Sequence, residues 1–388
     1  MSEVVDEAGD VARLDAAVEE LRRRGVERIH VLAWRDLDDP DAGGSEVHAD
    51  EVMRRWADRG LRVLQRTSVA HGQPVEAVRH GYDVVRRGSR YSVFPRAITA
   101  EALRRMGRSD ALVEIWNGVP WFSPVWYRGP SITMLHHVHG PMWDQILPRP
   151  LAGLGRTLET RLAPSFYRRR LTVTPSDATR EELLELGFRP DRVVAVPNGV
   201  DAFFRPGGTK TPNPSLDAVA RLAPVKRYDR LIDAAVAARE RFPDLTLTIV
   251  GDGDVRPDLE AHIARAGAGG WIDLPGRLER REIVEHYQRA WLVVSASLAE
   301  GWGLSITEAA ACRTPAVVTD IRGHRSSVVD GETGVLTSLD RLGATIAEVL
   351  VDDARRDRLA EAALARARTL TWDRTALGLT EALLSAAR

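Results

Sequence analysis

Short apolar runs and stretches with helical spacing alternate along the chain. In the first half, the apolar runs RIHVLAW, LRVLQRTSVA, ALVEIWN and PSITMLHH are bounded by turn residues, and a helical pattern ended by Gly60 covers residues 45–60. Strands that alternate with helices indicate a parallel sheet with crossover connections. A further helix is predicted over residues 8–24, where Leu14, Val18 and Leu21 recur at helical spacing.

A second series of the same kind follows the segment FFRPGGTKTPNPS, residues 203–215. Its Pro, Gly, Ser and Thr content predicts a linker. Strand patterns such as LDAVARL, LTLTIVGDGD and WLVVSAS then alternate with helical patterns, and residues 339–388 read as helices. A chain of 388 residues is long enough for two such domains. We therefore predict two α/β domains, with ligands outside the carboxyl ends of their strands.

Composition narrows the class of protein. A single cysteine, Cys312, excludes an internal disulfide and favours a reducing compartment. The first twenty residues are acidic and lack the apolar core of an export signal, and no apolar run is long enough to cross a bilayer. The net charge of −1 gives no reason to expect nucleic acid as a partner. We expect a cytoplasmic protein and make no prediction of its oligomeric state.

The positive charge is unevenly distributed. Residues 54–108 contain 13 arginines and only four acidic residues, and a second basic stretch covers residues 149–170. Solvated surface arginines explain this pattern most simply. The alternative is a face for an anionic acceptor or for anionic lipid, which would place the protein peripherally on the inner face of the membrane.

Two segments carry the strongest binding signals. Arg221 ends the first strand of the second series, and Lys226 follows five residues later at the start of a helix, an arrangement suited to an anion. In SLAEGWGLSITEAAAC, a glycine-rich bend separates Glu300 from Glu308. Each carboxylate could accept hydrogen bonds from sugar hydroxyls, and amides of the bend could meet phosphates. A pair of glycosidase carboxylates fits poorly, because such groups flank the scissile bond and usually come from separate elements.

Other candidates admit two interpretations each. Gly43 and Gly44, between the first strand and the next helix, allow close approach of an anion, or form a simple turn with Ser45 as N-cap. The aspartates of the same loop suggest a hard-cation site or, more simply, a solvated loop; they are Asp36, Asp38, Asp39 and Asp41. Three strand-end histidines suggest zinc or, more simply, a hydrogen bond to a substrate hydroxyl; they are His136, His137 and His139. We expect no bound metal.

These motifs together resemble the retaining glycosyltransferases of family 4, which have the GT-B fold. The resemblance covers residues 28–388 and rests on E-x7-E followed by TPAVV, on VARLAPVK, on VPNGVD and on GDGD. It implies two Rossmann-like domains facing across a cleft, with a C-terminal helix returning to the N-terminal domain. The implied domains are 1–205 for the acceptor, with an extra helix at 1–25, then 206–370 for the nucleotide sugar, and 371–388 for the returning helix.

The resemblance also implies roles for individual residues. Glu308 would bind the ribose, Glu300 the donor sugar, and Arg221 with Lys226 the diphosphate, while one of the three histidines would line the active site. Gly44, beside Gly43, would donate its amide to the distal phosphate. The remaining donor-binding residues would be Gly276, Arg277 and Leu278 at the base, and Gly301, Trp302, Gly303 and Leu304 at the sugar and phosphates.

The implied reaction is transfer of a hexose, with retention and without a metal or other cofactor, from a nucleoside diphosphate sugar to an acceptor hydroxyl. UDP- and GDP-sugars are favoured over ADP- and dTDP-sugars as donors. The acceptor is a glycan, a glycolipid or a small molecule that the sequence does not specify. A nucleotide-sugar epimerase, a phosphorylase of the same architecture and a non-catalytic nucleotide-binding partner are the alternatives.

Overall fold

The structure, a computed structural model, describes residues 7–146 and 148–387. The chain divides into two compact units, which we call the N-terminal unit (residues up to Gly199, together with those from Thr371) and the C-terminal unit (Val200–Leu370). Within the described residues, no helix combines the length and the apolar character that crossing a membrane requires.

The N-terminal unit is built on an eight-stranded sheet. Its strands are β1 Arg28–Leu32, β2 Arg62–Thr67, β3 Glu76–Arg79, β4 Tyr82–Arg86, β5 Ala111–Trp116, β6 Ser131–Leu135, β7 Thr172–Thr174 and β8 Val193–Ala195. They lie in the order β3-β4-β2-β1-β5-β6-β7-β8, and all neighbours are parallel except β3 and β4. Chain order reverses between the neighbours β1 and β5, where Ile29 pairs with Ala111.

Among the residues that the structure describes, eight α-helices precede β8 in the chain. They are α1 Glu7–Arg23, α2 Gly44–Asp58, α3 Val93–Ala102, α4 Ser123–Trp126, α5 Trp143–Ile146, α6 Arg149–Thr157, α7 Ala163–Tyr167 and α8 Asp177–Glu185. A π-helical turn, Leu158–Leu162, joins α6 to α7. Helix α8 begins where the Ser176 hydroxyl accepts the amide of Thr179 at 3.0 Å, as an N-cap residue does.

The C-terminal unit has a six-stranded parallel sheet. Its strands are β9 Ser215–Val219, β10 Thr246–Val250, β11 Ile272–Gly276, β12 Leu292–Ser295, β13 Ala316–Thr319 and β14 Gly334–Thr337, in the order β11-β10-β9-β12-β13-β14. Its helices are α9 Tyr228–Arg239, α10 Arg256–Arg265, α11 Arg280–Arg289, α12 Leu304–Ala311, α13 Arg322–Ser327, α14 Leu342–Val351 and α15 Asp353–Ala367. The fold class predicted above, two parallel-sheet α/β domains, is therefore confirmed.

The last helix, α16 Trp372–Ala386, belongs to the N-terminal unit and packs against α1, α2 and β6. Trp56 of α2 is buried in this core, and its indole N–H donates to the Thr380 hydroxyl at 2.8 Å. Burying a side chain as large as this one stabilises a fold by about 1.5–3 kcal/mol or more. The helix is thus a structural part of the unit that begins the chain.

The predicted linker at 203–215 is wrong. The Thr211 amide donates to the Arg289 carbonyl at 3.0 Å, and the Trp291 indole N–H donates to the Thr211 carbonyl at 2.8 Å. The Lys210 ammonium group donates to the Ala290 carbonyl and to the Thr314 hydroxyl, each at 2.6 Å. The segment is rich in turn residues because it bends closely over the C-terminal unit, and the break between the units lies earlier, at Gly199–Val200.

Candidate functional site

The C-terminal unit brings its two strongest sequence signals together at one point of its sheet. Strands β9 and β12 are neighbours, and the chain order reverses between them. Lys226 lies in the turn Pro224–Lys226 after β9, and Glu300 lies in the bend after β12. The Leu298 amide donates to the Val225 carbonyl at 2.9 Å, which ties the two loops together. Open parallel sheets bind their ligands at such a reversal.

Lys226 and Glu300 form an ion pair. The ammonium nitrogen of Lys226 lies 2.5 Å from Oε1 of Glu300, which also accepts the Ser297 hydroxyl at 2.8 Å. Burial alone would raise the pKa of Glu300, but Lys226 and His324 nearby lower the pKa below its ordinary value. Glu300 is therefore ionised at neutral pH, and it compensates the charge of Lys226.

Helix α13 fixes the backbone at Glu300. A side chain at Gly323 would overlap the carbonyl of Glu300, so only glycine allows α13 to approach this closely. The next residue, His324, is fully buried, and its Nδ1 lies 2.7 Å from the carbonyl oxygen of Thr319 at the end of β13. The position of Glu300 therefore depends on a helix that begins 22 residues later in the chain.

Glu308 has a different environment. It lies on α12, which starts after Gly303, a residue with φ of +98° that favours glycine. The Tyr287 hydroxyl donates to Oε2 of Glu308 at 3.4 Å. Burial raises the pKa of this carboxyl to about 7, while the positive charge of Arg280 opposes the shift. The two glutamates of the E-x7-E motif thus differ in protonation near neutral pH.

The loop that carries Arg221 is held by the GDGD segment. Strand β9 ends at Val219, so Arg221 lies two residues beyond it and is exposed. Side chains at Gly251 and Gly253 would overlap the carbonyls of Ala220 and Leu222, and both glycines have positive φ. The glycines after β10 therefore let its loop pack directly against the loop of Arg221.

The remaining predicted donor-binding residues of the C-terminal unit lie at the same edge of its sheet. Gly276 ends β11 with φ of +86°, and its carbonyl accepts the Gly251 amide at 2.8 Å, so Arg277 and Leu278 follow at the carboxyl end of that strand. Between β12 and α12, Gly301 and Gly303 flank Trp302, whose indole is buried. Leu304 is the first residue of α12.

In the N-terminal unit, His136 directly follows β6. It is buried, and its ring lies edge-on to that of His48 on α2, with the centroids 5.0 Å apart. Within the described residues, neither ring nitrogen of His136 or of His48 has a hydrogen-bond partner. Burial lowers the pKa of His48 to about 4, and burial together with the charge of His48 lowers that of His136 well below its ordinary value. Both rings are neutral at pH 7.

The other two histidines form a separate group. The rings of His137 and His139 are stacked, with centroids 4.5 Å apart, and His139 also packs on Trp143. The His139 amide donates to Glu159 at 2.8 Å. Among the residues the structure describes, no group of three or more histidine, cysteine or acidic side chains could hold a metal ion.

The structure contradicts the simplest interpretations of the glycine pair and of the aspartates in the same loop. Helix α2 begins at Gly44, and its N-cap is Gly43, whose amide donates to Glu46 at 2.7 Å, so Ser45 is not the cap. The solvated-loop interpretation of the aspartates is also wrong. Arg86 pairs with Asp36 at 2.5 Å, where both side chains are 1% exposed, and with Asp38 at 2.6 Å. Two further arginines complete the pairing: Arg79, the last residue of β3, contacts Asp38, and Arg90, in the turn after β4, contacts Asp39 and Asp41.

Sequence reasoning missed four contributors to these sites: Ser297, Gly323, His324 and His48. A glycine followed by a histidine, two residues before a serine pair, has no recognisable spacing to Glu300. The only available signal at His48 was its place one turn into the helix that follows the glycine pair.

Two family models match the chain. The model described as "Glycosyltransferase Family 4" matches residues 42–202, and the model described as "Glycosyl transferases group 1" matches residues 201–366. Among curated relatives, a D-inositol 3-phosphate glycosyltransferase of Nocardiopsis dassonvillei is 30% identical over 389 residues, covering 87% of this chain and 89% of the relative. One of Kribbella flavida is 28% identical, covering 92% of this chain and 94% of the relative.

Solved structures share the fold. Anabaena Alr3699/HepE, solved in complex with UDP and glucose, matches with a TM-score of 0.72 and 20% identity over 92% of this chain and 100% of that one. Sucrose-phosphate synthase from Thermosynechococcus elongatus matches with a TM-score of 0.77 and 18% identity over 92% and 98%. At these identities the likeness bears on the fold alone.

Proposed function

We propose a specific reaction for this chain, which belongs to glycosyltransferase family 4, the enzymes that transfer a sugar to an acceptor. The reaction is transfer of a hexose from a nucleoside diphosphate sugar to an acceptor hydroxyl, with retention of the anomeric configuration and without a divalent metal. The Lys226–Glu300 ion pair at the strand-order reversal of the C-terminal unit carries this proposal. It supplies a cation for the diphosphate and a carboxylate for the sugar at one point.

Donor binding would redistribute the charges of this pair. Without a ligand, Glu300 neutralises Lys226. A diphosphate would take over the contact with Lys226, assisted by Arg221, and would leave Glu300 to accept hydrogen bonds from the hexose hydroxyls. Amides at the start of α12 would add their partial positive charge. Glu308 would accept the two ribose hydroxyls, and the Gly276–Leu278 segment would contact the base.

Chemistry would then follow from charge stabilisation. The bond between the anomeric carbon and the β-phosphate oxygen breaks, and the negative charge develops on the leaving phosphate. Lys226 and Arg221 stabilise that charge in place, which is the most effective form of electrostatic catalysis. The acceptor oxygen bonds to the anomeric carbon on the face that the phosphate leaves, and the acceptor proton passes to the phosphate.

We assign His136 as the histidine that hydrogen-bonds a substrate hydroxyl. It is the first residue after β6, and both its ring nitrogens lack a partner within the described chain. Buried polar groups without partners are rare in folded proteins, so a ligand is a reasonable partner. The N-terminal unit would recognise the acceptor. Because the relatives act on D-inositol 3-phosphate by name, a phosphorylated polyol is the first acceptor to test.

The first experiment is thermal unfolding of the full chain with UDP, GDP, ADP or dTDP, in EDTA. A nucleotide at one hundred times its dissociation constant stabilises the folded state by about 2.7 kcal/mol, or roughly 5–10 °C for a unit of this size. We expect UDP or GDP to give this shift. No shift with any nucleotide, or a shift that requires added metal, would contradict the proposal.

Turnover separates the proposal from its alternatives. With the matching sugar donor, NMR of the product should show the donor's anomeric configuration; free epimer would indicate an epimerase, and a requirement for inorganic phosphate a phosphorylase. Binding without any turnover would indicate a nucleotide-binding partner. Lys226→Met should lower kcat by about 100-fold or more, since removing one preorganised charge stabiliser costs about 2.7–4 kcal/mol. Arg281→Met, on an exposed face of α11, is the matched control.

A further inference from the structure

The segment from α6 to α7 has an apolar face on each side. Its inner face is buried in the N-terminal unit through Ala152, Gly155, Ala163 and Tyr167. Its outer face also carries large apolar side chains. Leu151 is 52% exposed, Leu154 55%, Leu162 43% and Phe166 42%. A surface helix ordinarily places polar residues there.

These four side chains form one stripe, which we call the outer stripe (Leu151, Leu154, Leu162 and Phe166). Residues three, four, seven or eight apart lie on the same side of a helix, and the four are spaced by three, eight and four residues. The stripe continues onto α4, because the rings of Phe166 and Phe122 meet edge-on at 5.7 Å, and Val125 of α4 is 49% exposed.

The same segment is strongly basic. Six arginines lie between residues 149 and 170, and the only acidic residue among them is Glu159. Glu159 is 1% exposed and is fully used inside the unit, where it accepts from the amides of His139 and Gly140 and from the Trp143 indole. Within the described chain, Arg149, Arg161, Arg168 and Arg169 form no ion pair with an acidic side chain. The face presented to solvent is therefore apolar and positively charged.

We propose that the outer stripe docks the protein on the surface of an anionic lipid bilayer, with its arginines at the lipid phosphates. Basic helices with an exposed apolar face lie at the headgroup boundary in this way. A second copy of the chain is a poorer occupant, because a two-fold interface would place the arginines of one copy against those of the other. The inference does not rest on the proposed function, and vesicle binding can be measured without turnover.

The test is co-sedimentation of the full chain with vesicles of phosphatidylcholine, with and without 30% phosphatidylglycerol. We expect binding only to the anionic vesicles, weakening as salt rises. Each arginine near an anionic surface contributes about fivefold in partition coefficient. R161Q/R168Q/R169Q should therefore bind about 100-fold more weakly, whereas R241Q/R281Q/R358Q, the same charge change on exposed arginines of the C-terminal unit, should bind like wild type.

A second variant tests the apolar part. L151Q/L154Q/F166Q should lose binding at least tenfold while keeping its melting temperature and its shift with nucleotide. The control is V78Q/L103Q, which replaces two exposed apolar side chains elsewhere in the same unit. Val78 is 74% exposed and Leu103 58%, and this variant should bind vesicles like wild type. Wild-type protein that ignores anionic vesicles at low salt would overturn the proposal. So would equal loss in both arginine triples, or a concentration-dependent dimer that the apolar variant abolishes. A nucleotide shift without vesicle binding would overturn only this inference.

Discussion

Donor use should depend on pH through one residue, Glu308. Burial raises the pKa of this carboxyl to about 7, whereas the pKa of Glu300, paired with Lys226, is lowered. If Glu308 accepts hydrogen bonds from both ribose hydroxyls, it must be ionised, because a carboxylate is acceptor-only and a protonated carboxyl is not. Donor capture should therefore require loss of the Glu308 proton, while Glu300 is ready at any pH above its own lowered pKa.

The size of the effect follows from the pKa. With a pKa of about 7, the ionised fraction of Glu308 is about one eleventh at pH 6 and about ten elevenths at pH 8. We expect kcat/KM for the donor to rise about tenfold over this range. Glu308→Gln removes the titration, and its kcat/KM should be flat. At pH 8 the variant should be weaker by about 10- to 150-fold, since hydrogen bonds to a charged group contribute about 1.5–3 kcal/mol.

The assay is initial rate against donor concentration at constant ionic strength from pH 6 to 8. The donor sugar nucleotide suits this range, because neither of its phosphates is a monoester that titrates near pH 6. Glu300→Gln is the control: it should be slower but should keep the tenfold slope. A flat wild-type profile, or a slope that survives in Glu308→Gln, would refute the assignment of Glu308 to the ribose.

Two further changes test the packing of each unit. Gly323→Ala should lower kcat/KM for the donor at least tenfold, because the new methyl group displaces the Glu300 backbone. The control is Gly269→Ala, where the new methyl group meets open space, and its kcat/KM should stay within twofold of wild type in the same assay. Protonation of His48 should destabilise the folded protein in acid. The pKa of His48 is about 4 in the folded state and 6.5 in the unfolded state. The free energy of unfolding therefore keeps the full contribution of His48 above pH 6.5 and loses it as the pH falls toward 4. The contribution of His48 to this loss is about 2 kcal/mol at pH 5. Urea unfolding at pH 5 and 8 should therefore show a loss that is smaller by this amount in His48→Leu, where the buried His136 still titrates; equal loss in both proteins would contradict the role of His48.

The hydrophobic periodicity was sufficient to predict the fold class, because few topologies are compatible with strands that alternate with helices. It failed where local sequence was ambiguous. Helix α3 contains Pro95 and three β-branched residues and was not predicted, and the short strand β14 was not predicted either. The periodicity also did not predict that β3 and β4 form an antiparallel hairpin, whose turn contains Gly81 with a positive φ. The two errors in strands concern β3 and β14, which lie at the edges of their sheets, where neighbours constrain the chain least.

The candidate site was predictable only where its residues lie within one segment. The spacing of Glu300 and Glu308 is visible in the sequence, but the approach of Gly323 to Glu300 depends on how β13 and α13 pack. The aspartate loop shows the same limit. Its partners, such as Arg86, lie about 50 residues away in the chain, so four acidic residues looked solvated when they are held in ion pairs.

The Lys226–Glu300 contact changes how the site is expected to work. The sequence motifs assign Lys226 to the phosphates and Glu300 to the sugar, as two independent contacts with the donor. In the structure the two residues form an ion pair with each other, and the Ser297 hydroxyl also donates to Glu300. The two side chains are 21% and 16% exposed, so each charge is partly shielded from water and is stabilised by the other while no ligand is bound. A free sugar would have to draw Glu300 away while leaving Lys226 uncompensated. In the proposed reaction, a nucleoside diphosphate sugar offers both replacements at once, and we therefore expect the ion pair to favour the complete donor over either of its halves.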